Sequence, residues 1–401
     1  MKKLLQINVV ASYGSTGKIA ENIGKLAIAQ GWESHIAYGR GGTHSASHLI
    51  PIGNKWDMYV HGVESRLLDN HGLASKKATR EFIEKIKKIN PDIIHLHNIH
   101  GYYLNYKILF DYLATIDTPI VWTLHDCWSM TGHCSHFDAI GCDKWKSGCY
   151  SCPLKGEYPA SALLDASKKN YALKKKAFNS GRNITIVPVS EWLAGIVSES
   201  YMAKYPVRVI NNGIDIEVFR PRENSLREKH NITGKFVMIG VASIWDTNKG
   251  LNDFFELSRR MPEDYSIILI GLNKKQMEQL PQNIIGIERT ESQMQLAEYY
   301  SMADVFVNPT YNDSFPTVNI EALACGTPII TYKTGGSPEI INNNTGIVVD
   351  KGDVNAILSA IKDIKSNSRE SYSKACRERA ITLYNKDDRF QEYIDLYNSL
   401  L

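Results

Sequence analysis

Asp313-Ser314-Phe315-Pro316-Thr317-Val318-Asn319-Ile320-Glu321-Ala322-Leu323 runs on into Ala324-Cys325-Gly326-Thr327-Pro328-Ile329-Ile330. Two carboxylates, Asp313 and Glu321, are separated by seven residues, and a helix start falls between them. Ser314 suits an N-cap, and Pro316 suits the first turn, where a missing N–H costs nothing. A short helix is expected over Thr317 to Ala324, stopped by Gly326 and Pro328. Ile329 to Tyr332 then reads as a buried strand. Gly335-Gly336-Ser337-Pro338-Glu339 looks like a second capped helix start. Helix N-termini present unpaired N–H groups and partial positive charge, which suits phosphate. Two acids at this spacing also fit a solvated loop. The caps and the glycines on both sides favour a ligand site.

The rest of the chain alternates strands and helices. Apolar runs at residues 4–10, 34–38, 92–96, 120–124 and 183–189 read as strands, with helical patterns at 17–30, 79–89 and 167–178. A second series of short apolar runs covers 207–210, 236–241, 265–270, 284–287, 305–308, 329–332 and 346–349. Such βα alternation predicts parallel sheets covered on both faces. The expected fold is α/β, two doubly wound halves facing each other across a cleft, with the boundary near 190–205. Open sheets of this kind bind ligands at the carboxyl ends of their strands.

Composition narrows the function. A length of 401 residues suits two domains. A net charge of +3 implies no nucleic-acid partner. Gln6 and Asn8 interrupt the apolar run after Lys2-Lys3, so the start reads as a strand rather than a signal peptide. No run of 18 apolar residues exists. The expected location is cytoplasmic.

Three further clusters stand at strand ends. The first βα turn, Ala11-Ser12-Tyr13-Gly14-Ser15-Thr16-Gly17-Lys18, fails the P-loop spacing and remains a glycine-containing turn. Gly14 and Gly17 either admit a substrate to the backbone or serve packing alone. His125, beside Asp126, closes a strand and is either ligand-facing or a core histidine. Lys249 precedes a helix; there it opposes the macrodipole unless an anion offsets it. Cys134, Cys142, Cys149 and Cys152 fall within nineteen residues, beside His133 and His136, with Cys127 upstream. They read either as a structural zinc knob or as reduced thiols.

Taken together these motifs resemble the retaining GT-B glycosyltransferases of family 4, the glycosyl transferases group 1. Asp313-x7-Glu321 with Ala322-Leu323-Ala324-Cys325-Gly326-Thr327-Pro328 is similar to that family's E-x7-E signature and the segment after it. Asn211-Asn212-Gly213-Ile214-Asp215 and Gly335-Gly336-Ser337-Pro338-Glu339 resemble two more of its segments. His125-Asp126-Cys127-Trp128 with Thr131-Gly132-His133-Cys134 resembles a capsule, O-antigen and colanic-acid-type subgroup.

The resemblance implies an acceptor-side Rossmann-like domain over 1–190, with a cysteine-rich insert at 127–153, completed by a C-terminal helix at 385–401. It implies a nucleotide-sugar-binding domain over 200–380. His125, Lys249 and Asp313 are its catalytic candidates. Gly14, Gly17, Asp313, Ser314, Phe315, Pro316, Thr317 and Glu321 are its substrate contacts. Asp313 would meet the donor sugar, Glu321 the ribose and Lys249 the phosphates. The implied partners are a nucleotide-sugar donor and a glycan or lipid-linked oligosaccharide acceptor at the inner membrane face; two lysine-rich stretches fit either peripheral contact with anionic headgroups or solvated helix faces. Those stretches are Lys76, Lys77, Arg80, Lys85, Lys87 and Lys88, and Lys168, Lys169, Lys174, Lys175 and Lys176. No cofactor is required for catalysis; the cysteines are the candidates for a structural zinc. The chain departs from the pattern at Asp313, one methylene short of glutamate, and at Ser243, where the family carries a phosphate-binding arginine. The alternatives are a non-catalytic sugar-nucleotide-binding subunit and another GT-B enzyme such as an epimerase.

Overall fold

The structure is a computed structural model describing residues 1–42 and 44–401. The chain divides into two units, Met1–Asn211 with Phe390–Leu401, and Asn212–Arg389.

The first unit holds strands β1 (Lys3–Ala11), β2 (Glu33–Gly41), β3 (His48–Pro51), β4 (Ile93–Leu96), β5 (Ile120–Leu124) and β6 (Ile184–Pro188). Their order is β3-β2-β1-β4-β5-β6, parallel throughout. β4, β5 and β6 are buried along their whole length. Both faces of these strands are covered, and their sequences are accordingly continuous apolar runs. Phe390, Tyr393, Ile394 and Tyr397 of the C-terminal helix Lys386–Leu400 complete this unit's core against Leu4, Ile93, Val121 and Val187.

The second unit holds β7 (Phe236–Val241), β8 (Tyr265–Ile270), β9 (Ile284–Ile287), β10 (Val305–Asn308), β11 (Ile329–Tyr332) and β12 (Gly346–Val349), ordered β12-β11-β10-β7-β8-β9 and again parallel. Helix Val354–Asn367 seals one face with Ile357, Ile361 and Ile364. In each sheet the strand order reverses once, between β1 and β4 and between β7 and β10. Connections leave in opposite directions from that point and open a crevice at the strands' carboxyl ends.

Several expectations need correction. The apolar run 207–210 is no strand of the second sheet. Val207 makes a single bridge to Ile186, and Arg208 and Ile210 donate to the carbonyls of Ile186 and Pro188. This segment extends the first unit, and the division falls at Asn211 rather than within 190–205, where helix Glu191–Glu199 buries Leu193 and Val197. The first helix begins at Gly14, not Gly17. Ser314 caps nothing: Pro316 occupies the N-cap and no side chain caps that helix. The expected helix at Ser337 is a single turn, Ser337–Ile340, again without a side-chain cap. Lys174 is buried rather than part of a basic surface. Its ammonium donates to the Trp128 carbonyl at 2.7 Å and lies 3.6 Å from the Trp128 ring centroid.

Candidate active site

In the second unit the loops after β7, β10 and β11 converge at the switch point. The loop after β7 forms a turn, Thr247–Lys249, closed by Asp246, whose side chain accepts from the Lys249 N–H. Gly250 follows at φ +73°, and a Cβ there would stand 2.3 Å from the Pro309 carbonyl. This close approach puts Lys249 against the loop after β10. Its Nζ lies 2.8 Å from Asp313 Oδ2, and 3.4 Å from both Thr310 Oγ1 and the Asn312 carbonyl. The macrodipole conflict read at Lys249 is thereby offset by a carboxylate of the protein itself.

The loop after β11 fixes Asp313 from the other side. Gly335 adopts φ +52°, and a Cβ there would stand 1.8 Å from the Asp313 carbonyl oxygen, so no other residue fits. Asp313 Oδ1 accepts from the Phe315 N–H at 3.2 Å. Phe315 and Pro316 are buried, and the Phe315 carbonyl accepts from Asn212 Nδ2 at 3.4 Å. Thr317 opens helix Thr317–Ala324, whose uncapped first turn keeps N–H groups available to an anion. Glu321 lies one turn on, and its Oε2 accepts from the Tyr300 hydroxyl at 3.1 Å.

Four polar side-chain atoms around these loops are buried without a hydrogen-bond partner among the described residues: Ser314 Oγ, Asn319 Nδ2, Thr334 Oγ1 and Ser337 Oγ. Buried polar atoms are nearly always paired, so these are groups for which the loops themselves supply no partner. Tyr300, Asn319 and Thr334 escaped the sequence reading. Nothing in their spacing separates them from ordinary core polar residues.

In the first unit the loop after β1 carries Ser12 at φ +65° with its hydroxyl buried and unpartnered. A Cβ on Gly17 would stand 3.2 Å from Val10 Cγ2 and 3.3 Å from the Ser12 nitrogen, so Gly17 lets the turn close on itself. Gly14 has open space at its Cβ position and a φ of +64°. Asn8 ties the turn to the loop after β4, donating to the Val10 carbonyl at 2.8 Å and accepting from the Asn98 N–H at 3.3 Å.

His125 is half-buried at the end of β5 and lines a small pocket with His97, Asn98, His100 and Asp126. Burial pushes its imidazole down to about 4, with Asp126 opposing and His100 reinforcing the shift. It is neutral at pH 7. Gln6 Nε2 donates to the Ala20 carbonyl, so Gln6 Oε1 accepts from His97 Nε2–H at 3.1 Å. Burial also keeps His97 neutral, which leaves its Nδ1 to accept from His125 Nε2–H at 3.3 Å. His125 then presents Nδ1 as a lone-pair acceptor, the form that accepts a hydrogen bond from a hydroxyl. Burial opposes ionisation of Asp126, but His100, 2.8 Å away, outweighs it and holds the carboxyl well below its usual range.

Two open parallel sheets, each with its crevice at the switch point, and a lysine–carboxylate pair in the second are the architecture of a GT-B glycosyltransferase. A family model described as Glycosyl transferases group 1 matches residues 182–382, and one described as Glycosyltransferase Family 4 matches residues 17–218. The chain belongs to the glycosyl transferases group 1 family. It is 26% identical over 416 residues to a putative colanic acid biosynthesis glycosyl transferase, WcaC of Escherichia coli, covering 99% of this chain and 100% of the relative. Among solved structures it is similar to a sucrose-phosphate synthase from Thermosynechococcus elongatus, with a TM-score of 0.74, 18% identity and coverage of 100% and 99% of the two chains. Anabaena HepE in complex with UDP and glucose gives a TM-score of 0.69 at 15% identity, with all of both chains covered. The protein is a glycosyltransferase related to enzymes of polysaccharide biosynthesis.

Proposed function

We propose that the protein moves a sugar from a nucleotide diphosphate sugar to a growing surface polysaccharide, with retention at the anomeric carbon. The observation that carries this is the Lys249–Asp313 pair at the switch point, flanked by an uncapped helix start and by Glu321. Lys249 and the N–H groups at Thr317 hold the donor diphosphate. Asp313 accepts from the sugar hydroxyls and Glu321 from the ribose; in the first unit, His125 Nδ1 is the acceptor offered to a substrate hydroxyl. The bond from the anomeric carbon to the phosphate oxygen breaks, and its electron pair leaves with the diphosphate. Fixed positive charge there lowers the barrier most. The acceptor oxygen attacks the same face, and its proton passes to the departing phosphate oxygen. No cofactor enters this sequence. The UDP and glucose in the HepE structure support a nucleotide-sugar donor of this type.

The acceptor in this reading is a lipid-linked oligosaccharide, met by a cytoplasmic enzyme resting on the inner membrane face. No helix among the described residues is long and apolar enough to cross a membrane. Helix Lys55–Leu68 instead exposes Trp56, Tyr59, Val60, Val63 and Leu67 at i, i+3, i+4, i+7 and i+11. Exposed lysines of helix Lys76–Ile89 add charge that anionic headgroups attract.

A donor panel tests the function. Slow release of UDP or GDP into water, lost in Glu321→Ala, is the expected result. Tight donor binding with no turnover on any acceptor would instead favour a non-catalytic subunit.

A further inference from the structure

The segment 125–166, between β5 and helix Ser167–Phe178, contains no strand and no α-helix, only three short turns, at Trp128–Met130, Asp138–Ile140 and Lys144–Lys146. A loop this long inside a compact unit needs something to hold it. Trp128 and Met130 are buried at its start, but past them the apolar core is small: Phe137 stacks on Trp145 at 5.2 Å, and Tyr171 Oη donates to the Trp145 carbonyl. None of its cysteines is in a disulfide.

Cys134, Cys142, Cys149 and Cys152 nevertheless all line one cavity, together with His133. The thiols of Cys134 and Cys152 are hydrogen-bonded to each other. Backbone N–H groups point at two of the sulfurs, Gly132 at Cys149 and Leu154 at Cys152. Such donors favour a sulfur carrying negative charge. Gly132 is required for this approach, since a Cβ there would stand 2.7 Å from Cys149 Cβ and 2.1 Å from the Ser167 carbonyl oxygen. His133 supplies an independent sign. Its Nδ1 bonds Asp69 Oδ1 at 2.6 Å, yet its Nε2 is buried on the cavity wall with no partner among the described residues. An imidazole held by a carboxylate, with its other nitrogen buried without a partner beside a thiol cluster, marks a place where an ion would supply the missing interaction. No three of these groups stand at coordination distance in the structure.

We propose that Cys134, Cys142, Cys149 and Cys152 bind one structural Zn²⁺ as tetrahedral thiolates, drawing the cavity closed. Zinc takes four sulfur ligands at about 2.3 Å; Cys149-x2-Cys152 has the usual spacing of a ligand pair, while the x7 and x6 gaps before it are longer than in common zinc motifs. The ion ties the 127–153 insert together and takes no part in sugar transfer.

Metal analysis of the full-length protein, purified without chelator or metal-affinity steps, tests this. About one zinc per chain is expected. Cys149→Ser with Cys152→Ser should abolish it, and Cys376→Ala, in the other unit, should not. Cobalt exchange into the unaltered protein avoids the question of folding. It should give the visible bands of tetrahedral cobalt with sulfur-to-cobalt charge transfer. His133→Ala should keep the ion while weakening its binding about 10–100-fold. Clearly substoichiometric zinc without cobalt bands, or a Cys134–Cys152 disulfide in non-reducing peptide maps, overturns the proposal. Complete loss of zinc in His133→Ala overturns the four-sulfur set. These readouts need no turnover, so their failure leaves the transferase reading untouched.

Discussion

The Lys249 ammonium lies 2.8 Å from the Asp313 carboxylate, across the point where the second sheet reverses its strand order. The proposed roles assign these two groups to different parts of the donor, Lys249 to the phosphates and Asp313 to the sugar. A donor must therefore exchange both partners at once. Their side chains are 34% and 23% exposed, so the pair contributes no more than about 1 kcal/mol and the exchange is cheap. Asp313→Asn removes the competitor for Lys249. It is expected to tighten binding of the free nucleoside diphosphate by up to about five-fold while lowering turnover. Calorimetric titration with UDP and GDP checks this. Weaker binding in the variant would mean that Lys249 does not meet the diphosphate.

Lys249→Ala removes the fixed cation at the leaving group. Loss of one preorganised charge-stabilising donor typically lowers kcat by about 10²–10³-fold. On the proposed reading, with Ser243 in place of a further phosphate-binding arginine, the fall is expected at the upper end of that range. Lys249→Arg should restore part of it, since a guanidinium also meets phosphate oxygens. Rates of nucleotide release with saturating donor decide the matter; an Ala variant within three-fold of the parent, roughly 0.65 kcal/mol, would sink the role.

Tyr300 acts through Glu321. Its hydroxyl donates to Oε2 at 3.1 Å from a fully buried position and fixes the carboxylate proposed to meet the ribose. Hydrogen bonds to a charged group are worth about 1.5–3 kcal/mol. Tyr300→Phe should accordingly raise the donor KM roughly ten-fold or more with kcat little changed. A drop in kcat at constant KM would show that Glu321 belongs to the chemical step instead.

What the sequence disclosed follows from where the information lies. The helix Thr317–Ala324 and the strands on either side are set by residues within a few positions of each other, and they stand in the structure as read. The contact between Lys249 and Asp313 depends on β7 lying next to β10, a pairing no local pattern encodes. Ser314 suits a cap by residue type, but Pro316 occupies that position, and the hydroxyl is buried without a partner among the described residues. Residues 207–210 have strand composition, but Pro206 precedes them and the edge of β6 was free to receive them. The burial of Lys174 is legible in its spacing rather than in the run of lysines around it: it shares a helical stripe with Ser167, Asn170, Tyr171 and Phe178, all buried.

Acid should destabilise the first unit through its histidines. Burial lowers the pKa of His61, His71, His95, His97 and His125, with His61 and His125 at about 4. In the unfolded chain each titrates near 6.5. Above that pH both states are neutral and the stability is fully present. As pH falls from 6.5 toward 4, the unfolded chain takes up protons that the folded one excludes, and stability falls by up to about 1.4 kcal/mol per pH unit for each group. His133, raised by its bond to Asp69 against the opposing effect of burial, works in the other direction, but it is one against six once His35, which burial also lowers, is counted. The urea midpoint should therefore drop steeply between pH 7 and about 5. His71 isolates one contribution: its Nδ1 is buried without a partner, amid Tyr102, Trp128 and Tyr158. His71→Phe should make the slope shallower by about one proton's worth. An unchanged slope would place the excluded protons elsewhere.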